Sequence, residues 1–314
     1  MRGEADFNAS RLLSELGEFD LSAEYRAPQE LAAYRAFYGF HSDVDHYIGR
    51  SDNGRHWISV QAFVPETPKA TALVCHGYYD HTGLYVHLIE HLIERGLAVL
   101  ALDLPGHGLS SGERVTIDTF DSYVAAFAHV LKLAPIAGAQ RFPAPTHLVG
   151  QSLGGSVVME YLEQHQEEHF DSVALLAPLV RPYGWRVLRY YFHVVRPFIT
   201  ARKRTITNNA DNPEFIDFQH KDPLQAHVLP VAWVSAMVRW KDRFESYPPR
   251  PDFAPRVVQG HADRTVDFKH TLRVLDRHYT PDVLEMPAAR HHLVNESAAI
   301  RAQMWGWLDE RCGW

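Results

Sequence analysis

Residues 150–155 have the sequence GQSLGG, which places Ser152 in a G-x-S-x-G pattern. An apolar run typical of a buried strand precedes this segment, and apolar residues at helical spacing follow it. The chain must reverse sharply there, so side chains at positions 150 and 154 would collide and glycine is needed at both. The turn would present the Ser152 hydroxyl at a helix N-terminus, whose positive end favours a developing oxyanion. The pattern therefore predicts a nucleophilic serine rather than an idle serine in a glycine-rich turn.

A nucleophilic serine needs a base, and the base needs a carboxylate that orients it. In a strand–turn–helix architecture of this kind, both partners are expected after later strands, in the order Ser, Asp, His. Asp263 directly follows a late predicted strand and is the predicted acid, with Asp267 as the alternative. His291 and His292 both follow the last predicted strand, and their spacing leaves the choice of base between them open.

An oxyanion needs two N–H donors, and one of them is expected in the loop after the first parallel strand. Residues 75–80 in that loop have the sequence CHGYYD. The flexible Gly77 would let the backbone N–H of Tyr78 point into the site, across from the N–H of Leu153. Because only the backbone of Tyr78 is needed for this role, its side chain is free to shape the substrate pocket.

These residues need elements that bring them to one edge of a sheet. Short apolar runs alternate with helical patterns, which predicts a mostly parallel sheet with helices on both faces, the α/β class. The runs predicted as strands are 71–75, 97–102, 146–149, 173–177, 256–260 and 283–286, after a hairpin around residues 52–54. Residues 178–250 interrupt the alternation and predict an inserted helical cap without a clear strand. The predicted core is then 43–177 and 251–314, and residues 1–42 form a helical segment, two short helices outside the main domain.

Composition narrows the function classes. The chain has 314 residues and a formal net charge of −7. A pI near 6.3 argues against a general nucleic-acid binder. Two cysteines, Cys75 and Cys312, can form neither a disulfide framework nor a cysteine-rich zinc module. The N-terminus lacks the apolar core of a signal peptide, and no apolar run approaches the roughly 20 residues of a membrane span. We therefore expect a cytoplasmic protein, with only peripheral membrane contact.

The 20 histidines raise the question of a metal. His87, Glu90 and His91 match H-x-x-E-H, and on a helix the two histidines share one face that could chelate zinc. The apolar residues between them form the stripe that would be buried, which leaves this face toward solvent and without a third ligand. We therefore predict no metal and no cofactor, and we interpret His76 and His107 as braces of the loops that contain them.

Four stretches make the chain resemble the monoacylglycerol lipase, lysophospholipase and serine-aminopeptidase-like branch of the α/β-hydrolases. Residues 76–85 (HGYYDHTGLY) are similar to that branch's HGxxEHSGRY loop, with Asp80 and Leu84 as departures. Residues 103–112 match D-x-x-GHG-x-S-x-G, residues 150–155 are the nucleophile turn, and residues 290–296 (RHHLVNE) are similar to RHELLNE. In the last motif the first histidine is the base, which favours His291 over His292. The resemblance covers about residues 45–310.

The resemblance and the residues together predict a serine hydrolase that cleaves carboxylic esters through an acyl-enzyme. The expected substrates are small acyl esters: monoacylglycerol, lysophospholipid or a medium-chain ester. One alternative is a peptidase or amidase of the same fold, which needs an acidic group such as Glu214 or Asp217 to hold an amine. Another is a non-catalytic ligand-binding member of the fold, which would not require an intact nucleophile, acid and base.

The cap is expected to determine the substrate. Its first part alternates aromatic residues (Tyr183, Trp185, Tyr190, Tyr191, Phe192, Phe198) with basic residues (Arg181, Arg186, Arg189, Arg196, Arg202, Lys203, Arg204). This pattern fits a lid that leans on a lipid surface, because aromatics anchor at interfaces and cations attract anionic headgroups. It also fits an ordinary cap with its aromatics on the core and its arginines exposed. We predict that Trp185, Trp233 and Met237 line the substrate pocket together with Tyr78.

Overall fold

The structure is a computed structural model that describes residue 3 and residues 5–195, 197–204 and 207–314. The strands in these residues are β1 (Asp45–Asp52), β2 (Trp57–Val64), β3 (Ala70–Cys75), β4 (Leu97–Leu102), β5 (Thr146–Gln151), β6 (Ser172–Leu176), β7 (Ala201–Lys203), β8 (Val228–Pro230), β9 (Arg256–Gly260) and β10 (Asp282–Met286). Within the described residues, β7 and β8 form a separate pair, and the other eight strands form one sheet in the order β1-β2-β4-β3-β5-β6-β9-β10.

The helices in the described ranges are α1 (Ala9–Glu15), α2 (Leu31–Tyr38), α3 (Val86–Glu94), α4 (Asp121–Leu131), α5 (Leu133–Ala137), α6 (Leu153–Gln164), α7 (Trp185–Val195), α8 (Pro213–Lys221), α9 (Val231–Phe244), α10 (Phe268–His278) and α11 (Ala298–Cys312). Short 3-10 turns cover Thr82–Tyr85 and Leu293–Asn295. Of the helices in this part of the chain, none has the length and apolar character that crossing a membrane requires.

The sheet changes from antiparallel to parallel along its width. β1 and β2 form the predicted hairpin, and β2 pairs antiparallel with β4. From β4 to β10 every neighbouring pair is parallel. All residues of β3 and β4 are buried, because helices cover both faces. Alternate residues of β4 enter two hydrophobic clusters: Leu100 packs on the side of α4 and α6, whereas Val99 packs on the side of α3 and α11. The predicted α/β class is therefore confirmed.

Two local predictions differ from the structure. The strand predicted at 173–177 ends at Leu176, because Ala177 adopts a positive φ of 43° and leaves the extended region. The cap was expected to lack strands, yet β7 pairs antiparallel with β8. Three residues on each side are too few for the periodicity of a strand to be recognised in sequence.

The N-terminal helices are part of the core, so the prediction that they lie outside the main domain is wrong. Leu12 of α1 and Tyr38 of α2 are fully buried in the same hydrophobic cluster as Val74 of β3. The Gln61 side-chain amide donates a hydrogen bond to the hydroxyl of Tyr34 over 3.0 Å. The two short helices thus complete one face of the sheet, because without them these strand residues would be exposed to water.

A buried carboxylate joins the cap helix α9 to the core. Glu160 of α6 is fully buried and accepts hydrogen bonds from Trp240 Nε1 and the Tyr247 hydroxyl, each over 2.9 Å. Arg243 contributes a charged donor at 2.7 Å. A carboxylate without these partners would be costly to bury, so α9 is fixed in position on α6.

The H-x-x-E-H segment does not face solvent as expected. Glu90 and His91 are buried. Glu90 accepts hydrogen bonds from the backbone and ring of His41, whereas His91 contacts Asp309 over 2.7 Å and stacks on Trp305. Each residue is satisfied by partners distant in sequence. In the described residues, no group of three or more histidine, cysteine or acidic side chains could hold a metal ion.

The packing of α1 predicts a large loss of stability for Leu12→Ala. Removing a fully buried leucine side chain leaves a cavity, so the free energy of unfolding should fall by about 2–5 kcal/mol. Ile136→Ala is the control, because Ile136 is 80% exposed and its truncation should change stability by less than about 0.5 kcal/mol. Urea unfolding measures both changes. Equal midpoints for the two variants would contradict the placement of α1 in the core.

Candidate active site

Ser152 lies in a strained turn between β5 and α6. Its backbone has φ 53° and ψ −116°, which few non-glycine residues adopt. A Cβ on Gly150 would lie 2.6 Å from the carbonyl oxygen of Gly154, and a Cβ on Gly154 would overlap the carbonyl oxygen of Cys75. The prediction that both glycines are sterically required is therefore confirmed. Their absence of side chains lets α6 start directly against the end of β3.

The loops after β9 and β10 bring an acid and an imidazole to this serine. His291 Nδ1 lies 2.8 Å from Asp263 Oδ2, and His291 Nε2 lies 2.9 Å from Ser152 Oγ. Asp263 is fully buried, and its other oxygen accepts the backbone N–H groups of Thr265 and Val266. With a proton on Nδ1 donated to Asp263, the free lone pair of Nε2 faces the serine hydroxyl. This arrangement can remove the proton of the hydroxyl.

The electrostatics of the pair favour a charged imidazolium. Burial alone would lower the pKa of His291, but the charge and hydrogen bond of Asp263 outweigh it and raise that pKa above its ordinary value. Burial alone would likewise raise the pKa of Asp263, yet His291 and two backbone N–H groups lower it. Asp263 therefore stays ionised and stabilises the proton that His291 would take up.

The alternative acid and base are engaged elsewhere. Asp267 forms an ion pair with Arg181 at 2.7 Å and caps the first turn of α10. His292 Nε2 lies 3.2 Å from Asp80 Oδ1. The structure thus brings Ser152, Asp263 and His291 together and leaves Asp267 and His292 outside this set.

The loop after β3 lies beside the serine. A Cβ on Gly77 would be only 3.3 Å from Ser152 Cβ, so this loop and the nucleophile turn are in contact. The backbone N–H groups of Tyr78 and Leu153 have no acceptor among the described residues. The Tyr78 ring stacks on Trp233 at 3.7 Å, and its hydroxyl donates to the carbonyl of Val115. These two contacts hold the Tyr78 side chain in place.

A second His–Asp pair supports this loop, and sequence reasoning missed it. Besides its contact with His292, Asp80 accepts a hydrogen bond from the Tyr85 hydroxyl, which in turn accepts the N–H of Gly77. Burial alone would raise the pKa of Asp80, but His292, His76 and Tyr85 lower it well below its usual range. Asp80 and His292 both occupy positions where the chain departs from the pattern of the branch it resembles. Two such departures in separate motifs could have indicated that the two side chains contact each other.

The cap also positions the candidate base. The backbone carbonyl of Asn209, in the loop before α8, accepts the N–H groups of both His291 and His292, over 3.0 and 2.7 Å. No side-chain pattern in the sequence indicates a contact of this kind. The orientation of His291 therefore depends on the cap as well as on the core.

A cavity of about 380 Å³ opens onto Ser152 and His291. Tyr78 and Trp233 line it, together with apolar side chains of Leu179, Leu229 and Val266. Trp185 and Met237 do not line it, so these two predictions are wrong. Both are buried in the hydrophobic cluster between the cap and the core. Their apolar character reflects this packing rather than ligand contact.

The fold and the arrangement of the site define an α/β-hydrolase. Residues 66–298 match the model of the Hydrolase_4 family, described as serine aminopeptidase, S33. The chain belongs to this family, and the predicted branch is confirmed.

Two lipases are similar to this chain over most of their length. The chain is 27% identical over 239 residues to the monoglyceride lipase of Rattus norvegicus, covering 73% of this chain and 77% of that protein. It is 28% identical over 260 residues to the monoacylglycerol lipase of Mycolicibacterium smegmatis, covering 76% of this chain and 87% of the relative. The predicted enzyme class, a carboxylic ester hydrolase, is confirmed at this level.

Solved structures share the fold. A soluble variant of the monoglyceride lipase of Saccharomyces cerevisiae, in complex with a substrate analog, aligns with a TM-score of 0.75. It covers 87% of this chain and 96% of that chain at 14% identity. The monoacylglycerol lipase of Paleococcus ferrophilus aligns with a TM-score of 0.63 at 20% identity, covering 81% of this chain and 98% of that chain.

The contact between Asp263 and His291 predicts a measurable titration. We expect the His291 imidazole to have a pKa above its ordinary value of about 6.5. Asp263→Asn should lower this pKa, because it removes the charge that stabilises the imidazolium. Asp267→Asn makes the same chemical change four residues away and should leave the pKa of His291 unchanged. Imidazole ¹⁵N NMR shifts followed over pH report both. A His291 pKa below 6.5 in the unmodified protein would contradict the assignment.

Proposed function

We propose that this protein hydrolyses carboxylic esters, with Ser152 as nucleophile, His291 as general base and acid, and Asp263 as the carboxylate that orients His291. The observation that carries the proposal is the hydrogen-bonded series from Ser152 Oγ through His291 to buried Asp263, open to a cavity. Family membership and the similarity to monoglyceride lipases support the same reaction class.

The first step forms an acyl-enzyme. Ser152 Oγ attacks the ester carbonyl carbon while His291 Nε2 takes the hydroxyl proton. The carbonyl oxygen becomes an oxyanion that accepts the N–H groups of Tyr78 and Leu153, which are free of other acceptors among the described residues. The ester C–O bond then breaks, and His291 gives its proton to the leaving alcohol.

Water completes the cycle. A water molecule takes the place of the alcohol, gives a proton to His291 Nε2 and attacks the acyl carbon. The second tetrahedral intermediate collapses when Ser152 Oγ leaves and recovers the proton from His291. Asp263 keeps Nδ1 protonated throughout, so Nε2 is always the nitrogen that exchanges protons. The cycle needs no cofactor or metal.

The substrate is a small acyl ester such as a monoacylglycerol, a lysophospholipid or a medium-chain ester. The cavity volume of about 380 Å³ is in the range of small-molecule sites. Its apolar lining suits one acyl chain, because each buried methylene contributes about 0.8 kcal/mol. An amine substrate fits less well: among the described residues of the lining, Asp80 is the only carboxylate, and it is already hydrogen-bonded. Glu214 and Asp217 are exposed on α8, outside the lining.

Ser152→Ala should reduce kcat/KM for ester hydrolysis by about 10³-fold or more, because it removes the hydroxyl that contacts His291 Nε2. Labelling by a fluorophosphonate probe should disappear in the same variant. Near-full activity in Ser152→Ala would overturn the assignment.

His291→Ala and His292→Ala are a matched pair that tests the base. The loss in His291→Ala should exceed the loss in His292→Ala by at least about tenfold, and the reverse order would identify His292 as the base.

Residues 178–250 act as a lid over the core of residues 43–177 and 251–314, and its outer face contacts lipid surfaces. Val187, Tyr190 and Phe198 are 76%, 75% and 83% exposed, and Arg189 between them is also exposed. Of the described aromatic side chains in residues 183–198, Tyr183, Tyr190 and Phe198 are exposed and Trp185 is buried. The side chains of Tyr191 and Phe192, and all of Arg196, lie outside the described residues. Exposed apolar side chains among cations support interfacial binding over an ordinary cap.

The double variant Val187→Ser/Phe198→Ser should bind vesicles of phosphatidylcholine and phosphatidylglycerol at least about tenfold more weakly, because apolar area is lost from the interface. Ile136→Ser is the control, since Ile136 is equally exposed but lies on α5. Vesicle sedimentation measures both. Equal partitioning of the two variants would show that the lid face does not contact lipid.

A further inference from the structure

The cavity lining is asymmetric in charge. Arg202, Lys203 and Arg204 follow one another along the chain at the end of β7, and all three line the cavity. Asp80 is the only carboxylate in the described part of the lining, and both of its oxygens already accept hydrogen bonds. The cavity beside Ser152 is therefore positively charged, although the whole chain has a net charge of −7.

Arg204 is the most buried of the three cations. One of its nitrogens, Nη1, donates to Gln225 Oε1 over 2.7 Å and to the carbonyl of Ala226 over 3.1 Å. Nε and Nη2 have no acceptor among the described residues, and no described carboxylate lies within the 4.0 Å of an ion pair. Burial disfavours the charged guanidinium, and the carboxylates of Asp80 and Asp222 act on it only at longer range. A partly buried cation with free donors favours an anion.

The position of Arg204 connects it to the proposed chemistry. Its guanidinium carbon lies 3.8 Å from the centre of the Tyr79 ring. Tyr79 directly follows Tyr78, the proposed oxyanion donor, and is itself held at a positive φ of 71°. A group bound to Arg204 would therefore lie in the same cavity as Ser152, beside the loop that contains Tyr78.

The anion belongs on the alcohol side of the ester. A fatty acyl chain is uncharged near its carbonyl and is favoured by the apolar part of the lining, at Leu179, Leu229 and Val266. The polar part of the cavity lining is then left to bind the alcohol portion of the ester. Thr207 and Asn209 contribute polar side chains to this part of the lining.

We propose that the preferred substrates are monoacyl esters whose alcohol carries a phosphate, of the monoacylglycerol phosphate kind, and that Arg204 binds this phosphate. The proposal rests on the proposed ester hydrolysis and specifies its substrate class. Guanidinium groups bind phosphate through paired charged hydrogen bonds, and Nε and Nη2 form a suitable pair of donors. Lys203 and Arg202 add positive charge on the exposed side of the lining.

The test compares two water-soluble substrates with the same short acyl chain, a monoacylglycerol and its 3-phosphate. The unmodified protein should show a higher kcat/KM for the phosphate ester, and that preference should weaken as NaCl screens the charges. In Arg204→Gln the ratio of the two kcat/KM values should fall by about tenfold or more, mainly through KM for the phosphate ester. Arg273→Gln removes an exposed arginine of α10 outside the lining, and the ratio should stay unchanged.

Several outcomes would overturn the proposal. One is a ratio that favours the neutral ester in the unmodified protein, and another is an equal loss on both substrates in Arg204→Gln. If Arg204→Gln does not fold, Lys203→Gln and the NaCl dependence of the unmodified protein decide instead. Inhibition of neutral-ester hydrolysis by inorganic phosphate, without preference for the phosphate ester, would indicate a site for free anions and contradict the proposal. Failure of ester hydrolysis itself is distinct, because then neither substrate would be cleaved in a manner that depends on Ser152.

Discussion

The close approach of α6 to the end of β3 is the constraint on which the site depends. Because Gly154 has no side chain, the first turn of the helix packs on the carbonyl oxygen of Cys75. This contact brings the loop after β3 against the nucleophile turn, so that Gly77 touches Ser152. A larger residue at position 154 would push the loop away and separate the serine from Tyr78, the proposed oxyanion donor in that loop. The strained backbone of Ser152 persists because packing on both sides holds it.

Buried carboxylates provide the second constraint, since each one requires donors from other parts of the chain. Asp222 of the cap accepts hydrogen bonds from the Tyr38 hydroxyl and the Leu224 N–H, and its other oxygen contacts His81 at 2.8 Å. One carboxylate thus connects the N-terminal segment, the loop after β3 and the cap. Asp80 has a similar role toward His292. These contacts therefore link four segments to one another: the N-terminal helices, the loop after β3, the loop after β10 and the cap.

The sequence predicted residues whose role follows from their place at the end of a strand. Ser152 and Asp263 could be selected in this way, because strand ends are visible as boundaries of apolar runs. Adjacent histidines follow the same strand, so position could not separate His291 from His292. The apolar character of Trp185 and Met237 indicates that both are buried. Periodicity does not distinguish a face that packs on the core from one that lines a cavity. Glu90 and His91 were misjudged for a related reason, since Asp309, the partner of His91, lies 218 residues away.

The proposed catalytic arrangement alone does not separate the possible reactions of this family. A serine, an imidazole and a carboxylate in hydrogen-bond contact can attack an ester or an amide equally well, so the substrate must be selected by the rest of the cavity. An aminopeptidase must hold a protonated amine, which requires a negatively charged side chain near the nucleophile. Arg202, Lys203 and Arg204 give this lining the opposite charge. The proposed preference for an anionic alcohol follows from this charge, because cations that repel a protonated amine attract an anion.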